Sequence, residues 1–172
     1  MSLADFWYRT KLLYLSQPSG ERSLYKALRD RPVNTLLEVG IDDGRRTTQL
    51  LGWLNHQGVV PVKYAAIDPF EAAPNGHLAM KDAYKLLSSR GLKPCLVPGS
   101  FTVGWQRVLH TIGQCDLIVC NDPNVDLLAV DVQQAIVRLL SSGGSFLAGS
   151  SQKGYQVVDC SKFVSLTFQK AA

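Results

Sequence analysis

Short apolar runs alternate with longer amphipathic segments along most of this 172-residue chain. The runs are apolar at nearly every position, which is typical of strands buried on both faces of a parallel sheet. Helical patterns over residues 44–57, 77–91, 102–113 and 126–144 separate one run from the next. This order predicts an α/β fold with a doubly wound, mainly parallel sheet and helices on both faces. The predicted strands cover residues 34–39, 62–68, 94–99, 115–121 and 143–150.

The two ends of the chain depart from this alternation. Residues 3–17 and 21–30 have the apolar spacing of amphipathic helices, which we expect to pack ahead of the sheet. After the fifth strand only the residues SQKG precede the next apolar run, whereas a parallel return needs about a dozen residues. We therefore expect antiparallel strands across residues 153–170. Residues 1–172 are predicted to form one domain, with N-terminal helices (1–31), a core (34–149) and this C-terminal extension.

Composition and charge exclude several classes of protein. The formal net charge of +4 comes from lysines and arginines scattered along the chain, so we expect no nucleic-acid partner. No stretch reaches the roughly 18 apolar residues of a membrane span, and the N-terminus lacks a secretory pattern, so we expect a cytoplasmic protein without a membrane partner. Cys95, Cys115, Cys120 and Cys160 form no C-x-x-C pair and are predicted to be reduced core thiols.

The candidate site residues are those that follow the predicted strands. In an open α/β sheet the ligand binds outside the carboxyl ends of the strands, at the point where the strand order reverses. The first strand ends in Glu38, Gly40, Asp42 and Gly44, the second in Asp68 and Phe70, the third in Ser100 and Phe101, and the fourth in Asn121 and Asp122.

The loop after the first strand, GIDDG at residues 40–44, is unlike a phosphate-binding loop. A dinucleotide site requires G-x-G-x-x-G, but Asp42 and Arg45 stand at the second and third glycine positions. A carboxylate about 4 Å from a phosphate oxygen would be repelled by roughly 4 kcal/mol at an effective dielectric constant near 20. The chain also has no Walker A lysine motif. The loop therefore disfavours a nicotinamide dehydrogenase and indicates a ligand without phosphate at this point.

S-adenosylmethionine meets that requirement, because it joins an adenosine to a cationic sulfonium and an ammonium group. Asp68, at the end of the second strand, is placed to accept hydrogen bonds from both ribose hydroxyls. Asp42 belongs to the same predicted cofactor loop. We expect Asp43 to be a solvated acid that favours the N-terminus of the following helix.

Five motifs resemble those of the class I S-adenosylmethionine-dependent methyltransferases in order and spacing. They are LLEVGIDDGRRT, AAIDPF, LVPGSF, DLIVCNDP and LLSSGGSFLA, within residues 34–149. The first is most similar to the small-molecule O-methyltransferase branch. The resemblance implies a Rossmann-like fold and S-adenosylmethionine as cofactor. It also implies a close-approach loop at Gly40 and Gly44 anchored by Glu38, Asp68 on the ribose, Phe70, Ser100 and Phe101 near adenine, and Asn121 or Asp122 facing the methyl-transfer site.

The sequence also departs from the motifs of this family. Gly149, Ser150 and Ser151 stand where metal-dependent relatives carry an acid, so we expect no catalytic metal. The residues CNDPN have no histidine where related sequences would supply a general base, so the base is unassigned. Methylation of a small-molecule acceptor and a catalytically inactive binding or scaffold module both remain open. The acceptor pocket would come from the N-terminal helices, the loop of residues 122–126 or a second subunit of a homodimer.

Overall fold

The computed structural model describes residues 3–29, 31–73 and 77–163. These residues form one six-stranded sheet with the order β3-β2-β1-β4-β5-β6. The first five strands are parallel, and β6 pairs with β5 in the antiparallel direction. The predicted doubly wound α/β fold is therefore confirmed. The strands are β1 (Thr35–Val39), β2 (Lys63–Asp68), β3 (Pro94–Pro98), β4 (Cys115–Cys120), β5 (Leu140–Ser150) and β6 (Gly154–Val158).

Helices cover both faces of the sheet. They are α1 (Leu3–Thr10), which continues as a π-helical turn (Lys11–Leu15), α2 (Glu21–Ala27), α3 (Arg45–His56), α4 (Met80–Ser88), α5 (Phe101–Ile112) and α6 (Val130–Leu139). Helices α2, α3 and α4 contribute to the core on one face, and α5 and α6 contribute to the core on the other. Because side chains alternate along a strand, neighbours divide between the two cores. Leu36 packs in the first core and Leu37 in the second.

The N-terminal helices α1 and α2 pack on α3 and on β6, which is an edge strand of the sheet. The ring of Tyr8 lies 4.1 Å from that of His56, and Gly52 leaves room for the Tyr8 hydroxyl. The Ser23 hydroxyl accepts a hydrogen bond from the Tyr155 N–H at 2.6 Å, which ties α2 to β6. Trp7 is 63% exposed, so part of this apolar segment faces solvent. A homodimer contact through this segment stays a prediction.

The last third of the chain differs from the sequence prediction in two places. The helix predicted for residues 126–144 covers only Val130–Leu139, because Leu140 leaves the helical conformation and pairs with Cys115 on β4. Of the antiparallel strands predicted for residues 153–170, the described part up to residue 163 contains one, Gly154–Val158, followed by a helical turn at residues 161–163. The alternating pattern of residues 164–169 lies outside the described residues. In the described part of the chain, no helix is long and apolar enough to cross a membrane.

Candidate functional site

The strand order reverses between β1 and β4, which is where an open α/β sheet has its ligand crevice, and the loop of residues 40–44 follows β1 at this point. Gly40 and Gly44 have positive φ angles of 78° and 75°, which glycine adopts without strain. A Cβ atom on Gly40 would lie 3.2 Å from the backbone nitrogen of Asp122. Glycine therefore lets the loop after β1 approach the loop after β4.

Asp42 occupies the position where a phosphate-binding loop would have glycine, and it also has a positive φ angle, 53°. Aspartate tolerates this left-handed conformation better than most residues. Its Oδ2 accepts a hydrogen bond from the side-chain amide of Asn121 and lies 3.6 Å from Nη1 of Arg46. Burial raises the pKa of Asp42 above its usual range, and Arg46 and His77 oppose that rise. Asp42 thus joins the ends of β1 and β4.

Asp68 is 1% exposed, and its carboxylate already accepts four hydrogen bonds. Oδ2 accepts from the backbone N–H groups of Ile41 at 2.8 Å and Asp42 at 3.2 Å. Oδ1 accepts from the Phe70 N–H at 2.7 Å and lies 3.1 Å from Nδ1 of His77. These contacts use the roughly four lone-pair positions of a carboxylate. Asp68 therefore anchors the loop after β1 and the segment after β2. For its carboxylate to accept a hydrogen bond from a ribose hydroxyl, as predicted, at least one of these four hydrogen bonds must break.

His77 is the only one of these four donors that is a side chain. Its ring lies between two acids, with Nδ1 on Asp68 and Nε2 at 3.9 Å from Oδ1 of Asp42. One ligand atom from each of the three residues lies within 4.8 Å of the others, a grouping that could hold a cation. Backbone and amide N–H groups already occupy these carboxylates, so we place no metal here. The predicted absence of a catalytic metal stays a prediction.

A buried ion pair supports the loop from below. Glu38 is fully buried, and its Oε2 accepts a hydrogen bond from the Tyr64 hydroxyl at 2.8 Å. Its Oε1 lies 3.5 Å from Nε of Arg46, which is 3% exposed. Burial alone would lower the pKa of the guanidinium, but the adjacent Glu38 raises it above its ordinary value. Arg46 also donates to the Gly40 carbonyl and to the Tyr155 hydroxyl. Glu38 thus reaches the loop through Arg46, and its role as loop anchor stays a prediction.

The two candidate residues after β4 have different environments. Asn121 accepts a hydrogen bond from the Tyr155 hydroxyl at 2.6 Å and donates to Asp42. Asp122 Oδ1 accepts from the backbone and side-chain nitrogens of Asn124 at 2.9 and 3.0 Å, an Asx turn. Burial raises the pKa of the neighbouring Cys120 to about 11, which disfavours its thiolate form. The substrate-facing role predicted for Asn121 or Asp122 stays a prediction.

The residues expected near adenine are mostly core residues. Phe70 is 1% exposed and packs in the first core, and Phe101 is 2% exposed and packs in the second. Rings with so little accessible surface offer no face to a ligand in this conformation. Ser100 is exposed, and its hydroxyl lies 2.9 Å from that of Thr102. Ser100 is therefore the accessible member of this predicted group.

No role for Arg46, Tyr155 or His77 was predicted from the sequence. An arginine in the first turn of a helix opposes the helix dipole, so Arg46 was itself a signal of a buried anionic partner. Tyr155 carried no such signal, because its contact with Asn121 depends on how β6 pairs with β5. For His77, the only signal in the sequence was that the residue is a histidine. Asp43 is exposed and accepts a hydrogen bond from the Arg45 N–H at 3.0 Å, which agrees with the solvated helix-start role expected for it.

Strand order and helix placement together define a doubly wound α/β protein whose strand order reverses between β1 and β4. The fold is similar to that of the SAH-bound methyltransferase PaMTH1 of Podospora anserina, at 15% identity over 96% of this chain and 76% of that one, with a TM-score of 0.54. It is also similar to precorrin-6y C5,15-methyltransferase of Geobacter metallireducens, at 14% identity over 92% and 73%, with a TM-score of 0.51. The chain therefore has the class I S-adenosylmethionine-dependent methyltransferase fold.

The chain is short beside several other methyltransferase structures, of whose length it spans 40 to 56%. One is an O-methyltransferase family protein of Burkholderia thailandensis, at 16% identity over 84% of this chain and 40% of that one, with a TM-score of 0.47. No protein-family model matches the chain, and no curated protein sequence matches it.

Proposed function

We propose that the chain binds S-adenosylmethionine at the carboxyl ends of β1, β2 and β4 and methylates a small-molecule acceptor. The observation that carries this proposal is the acidity of the crevice. Asp42 lies in the loop and Asp68 holds the loop through its backbone N–H groups, whereas the nearby Arg46 is shared between Asp42 and the buried carboxylate of Glu38. Such a crevice suits a ligand with hydroxyl donors and positive charge and repels phosphate. The similarity in fold to an SAH-bound methyltransferase supports the proposal.

The residues of the chain would bind and orient the cofactor. Asp68 would accept a ribose hydroxyl in place of His77, and the glycines of the loop would allow close approach of the backbone. Ser100 would lie on the adenine side, and Asn121 would stay fixed by Tyr155 at the end of β4. When bound, the sulfonium supplies an activated methyl group, so alignment of the donor with the acceptor provides much of the rate.

The alternative is a catalytically inactive module that keeps the methyltransferase fold for binding. It is favoured by the end of β4, where the Asp122 carboxylate holds a turn through Asn124. In neither case does the proposal require a second chain or a metal.

A cytoplasmic location is part of the proposal and is supported by the four cysteines, which are all free thiols.

Calorimetry with S-adenosylhomocysteine and with NAD tests the proposed cofactor. We expect S-adenosylhomocysteine to bind with a Kd of about 1 to 100 μM, near −8 to −5.5 kcal/mol, and NAD not to bind at equal concentration. Formation of S-adenosylhomocysteine from S-adenosylmethionine in a small-molecule extract then separates an enzyme from an inactive module. Tighter binding of NAD would contradict the cofactor assignment.

Replacing His77 tests whether this side chain occupies the ribose position. In His77→Ala the cofactor no longer has to break a hydrogen bond worth about 1 kcal/mol, so we expect S-adenosylhomocysteine to bind about fivefold more tightly. His110→Ala, on the exposed surface of α5, is the matched control and should leave the affinity unchanged. Weaker binding by His77→Ala would mean that His77 contacts the ligand rather than competing with it.

A further inference from the structure

A groove of about 1100 Å³ runs along β3, the edge strand of the sheet, between α4 and α5. None of the residues that line it belongs to the site between β1 and β4. Lys63 and Pro94 lie at its amino-terminal end, and Glu71 and Met80 lie near the carboxyl ends of the strands. Its apolar wall is formed by Val62, Met80, Tyr84, Cys95, Leu96 and Ile112.

Positive charge is concentrated around this β3 groove. Five cations line it, and Glu71 is the one acid among the described residues that do so. Lys81 and Lys85 share α4 and the other three come from separate segments, so the full cluster is not evident in the sequence, where Lys and Arg look scattered. They are Lys63, Lys81, Lys85, Lys93 and Arg107.

Among the residues that the structure describes, most of this charge has no anionic partner. Lys85 lies 3.6 Å from Asp82, a pair in which both side chains are largely exposed. Lys63 donates to the carbonyl of Ile112 at the end of α5. Lys81, Lys93 and Arg107 form no ion pair within residues 3–29, 31–73 and 77–163. The groove therefore combines an apolar wall with cations available to an external anion.

The edge of β3 is not suited to pairing with another strand. Gly99, directly after β3, donates its N–H to the Asp68 carbonyl on β2. Because backbone groups alternate in direction along a strand, those at positions 94, 96 and 98 point away from β2. Pro94 and Pro98 stand at these outward positions and have no N–H to offer. Leu96 is the remaining outward position of β3. A partner must therefore be recognised through side chains rather than through an added strand.

We propose that the β3 groove binds an acidic peptide segment of a protein partner, with apolar side chains on the wall and carboxylates on the lysines. A second copy of this chain, with its net charge of +4, would bring like charges together. Single-stranded nucleic acid needs aromatic platforms for its bases, and Tyr84 is the one aromatic side chain among the described lining residues. The proposal does not depend on methyltransferase activity.

Fluorescence anisotropy with three labelled probes tests the ligand class. The probes are a peptide of four Asp-Glu-Leu repeats, the same peptide with serine for leucine, and an oligo-dT strand of about the same length. We expect the leucine peptide to bind most tightly and to lose about tenfold in affinity between roughly 50 and 300 mM salt. Tighter binding of oligo-dT, equal binding of the serine peptide, or no binding of the leucine peptide would overturn the proposal.

Charge reversal locates the binding surface. The triple variant Lys81→Glu, Lys93→Glu, Arg107→Glu should weaken binding of the leucine peptide at least about tenfold. The triple variant Lys11→Glu, Arg138→Glu, Lys153→Glu changes the net charge equally at exposed positions elsewhere and should stay within about threefold of the unmodified chain. Circular dichroism checks that both variants fold. An equal loss in both would show that net charge, and not the groove, attracts the peptide.

Discussion

Replacing Asp68 with Asn is expected to weaken S-adenosylhomocysteine binding by about ten- to a hundredfold, because a hydrogen bond to a charged acceptor is worth about 1.5 to 3 kcal/mol. The asparagine amide also has only one acceptor oxygen, whereas the carboxylate accepts on both. One of the two pairs of donors, Ile41 and Asp42 or Phe70 and His77, therefore loses its acceptor. We expect the free energy of unfolding to fall by about 2 to 4 kcal/mol as well.

The matched control for this prediction is Asp43→Asn. Asp43 lies one residue from Asp42 but is exposed and accepts a single hydrogen bond, from the Arg45 N–H. Its replacement should change the affinity by less than about threefold and the stability by less than about 1 kcal/mol. Calorimetry gives the affinities, and thermal unfolding gives the stabilities. Unmodified affinity in a folded Asp68→Asn variant would remove Asp68 from the cofactor site.

The sheet could be predicted because its strands carry local signals. The runs that became β1 to β4 are apolar on both faces and bounded by turns, and the structure shifts their ends by only one residue. The boundary between α6 and β5 could not be predicted in this way. Leu139 and Leu140 continue one apolar pattern, and only the pairing of Leu140 with Cys115 makes the second residue part of a strand.

The clustering of the candidate residues was predictable, but their contacts were not. Fold topology alone brings the strand ends together, so Glu38, Asp68 and Asn121 were placed at one edge of the sheet from their positions in the sequence. Their partners depend on side chains from distant segments. Tyr155 reaches Asn121 only because β6 lies beside β5, and nothing near Asp68 in the sequence indicates that three backbone N–H groups fill its acceptors.

The orientation of the aromatic side chains after β2 and β3 could not be predicted from the sequence. Phe70 and Phe101 stand directly after strands, where the resemblance implies contact with adenine. Burying a large aromatic side chain in a core stabilises the fold by about 1.5 to 3 kcal/mol relative to leaving the ring exposed to solvent. Both rings turn into the cores. Sequence position therefore placed these residues at the ends of their strands but did not give the direction of their side chains.

The largest loss of stability is expected from Arg46→Met. This change leaves the Glu38 carboxylate fully buried with only the Tyr64 hydroxyl as a hydrogen-bond donor. Breaking a buried ion pair on one side costs about 3 to 5 kcal/mol, because the remaining charge has lost its partner. Lys85→Met is the control: it removes an equally charged side chain from an exposed pair with Asp82 and should cost less than about 1 kcal/mol. Denaturant unfolding followed by circular dichroism measures both.

A second variant separates the lost ion pair from lost packing. Adding Glu38→Gln to Arg46→Met removes the orphaned charge, so we expect the double variant to be about 1 to 3 kcal/mol more stable than the sum of the two single losses implies. The neutral amide can still accept from Tyr64, which keeps that hydrogen bond in place. If the loss came from packing alone, the two single losses would simply add. Additive losses would therefore mean that Glu38 and Arg46 do not support the loop as a pair.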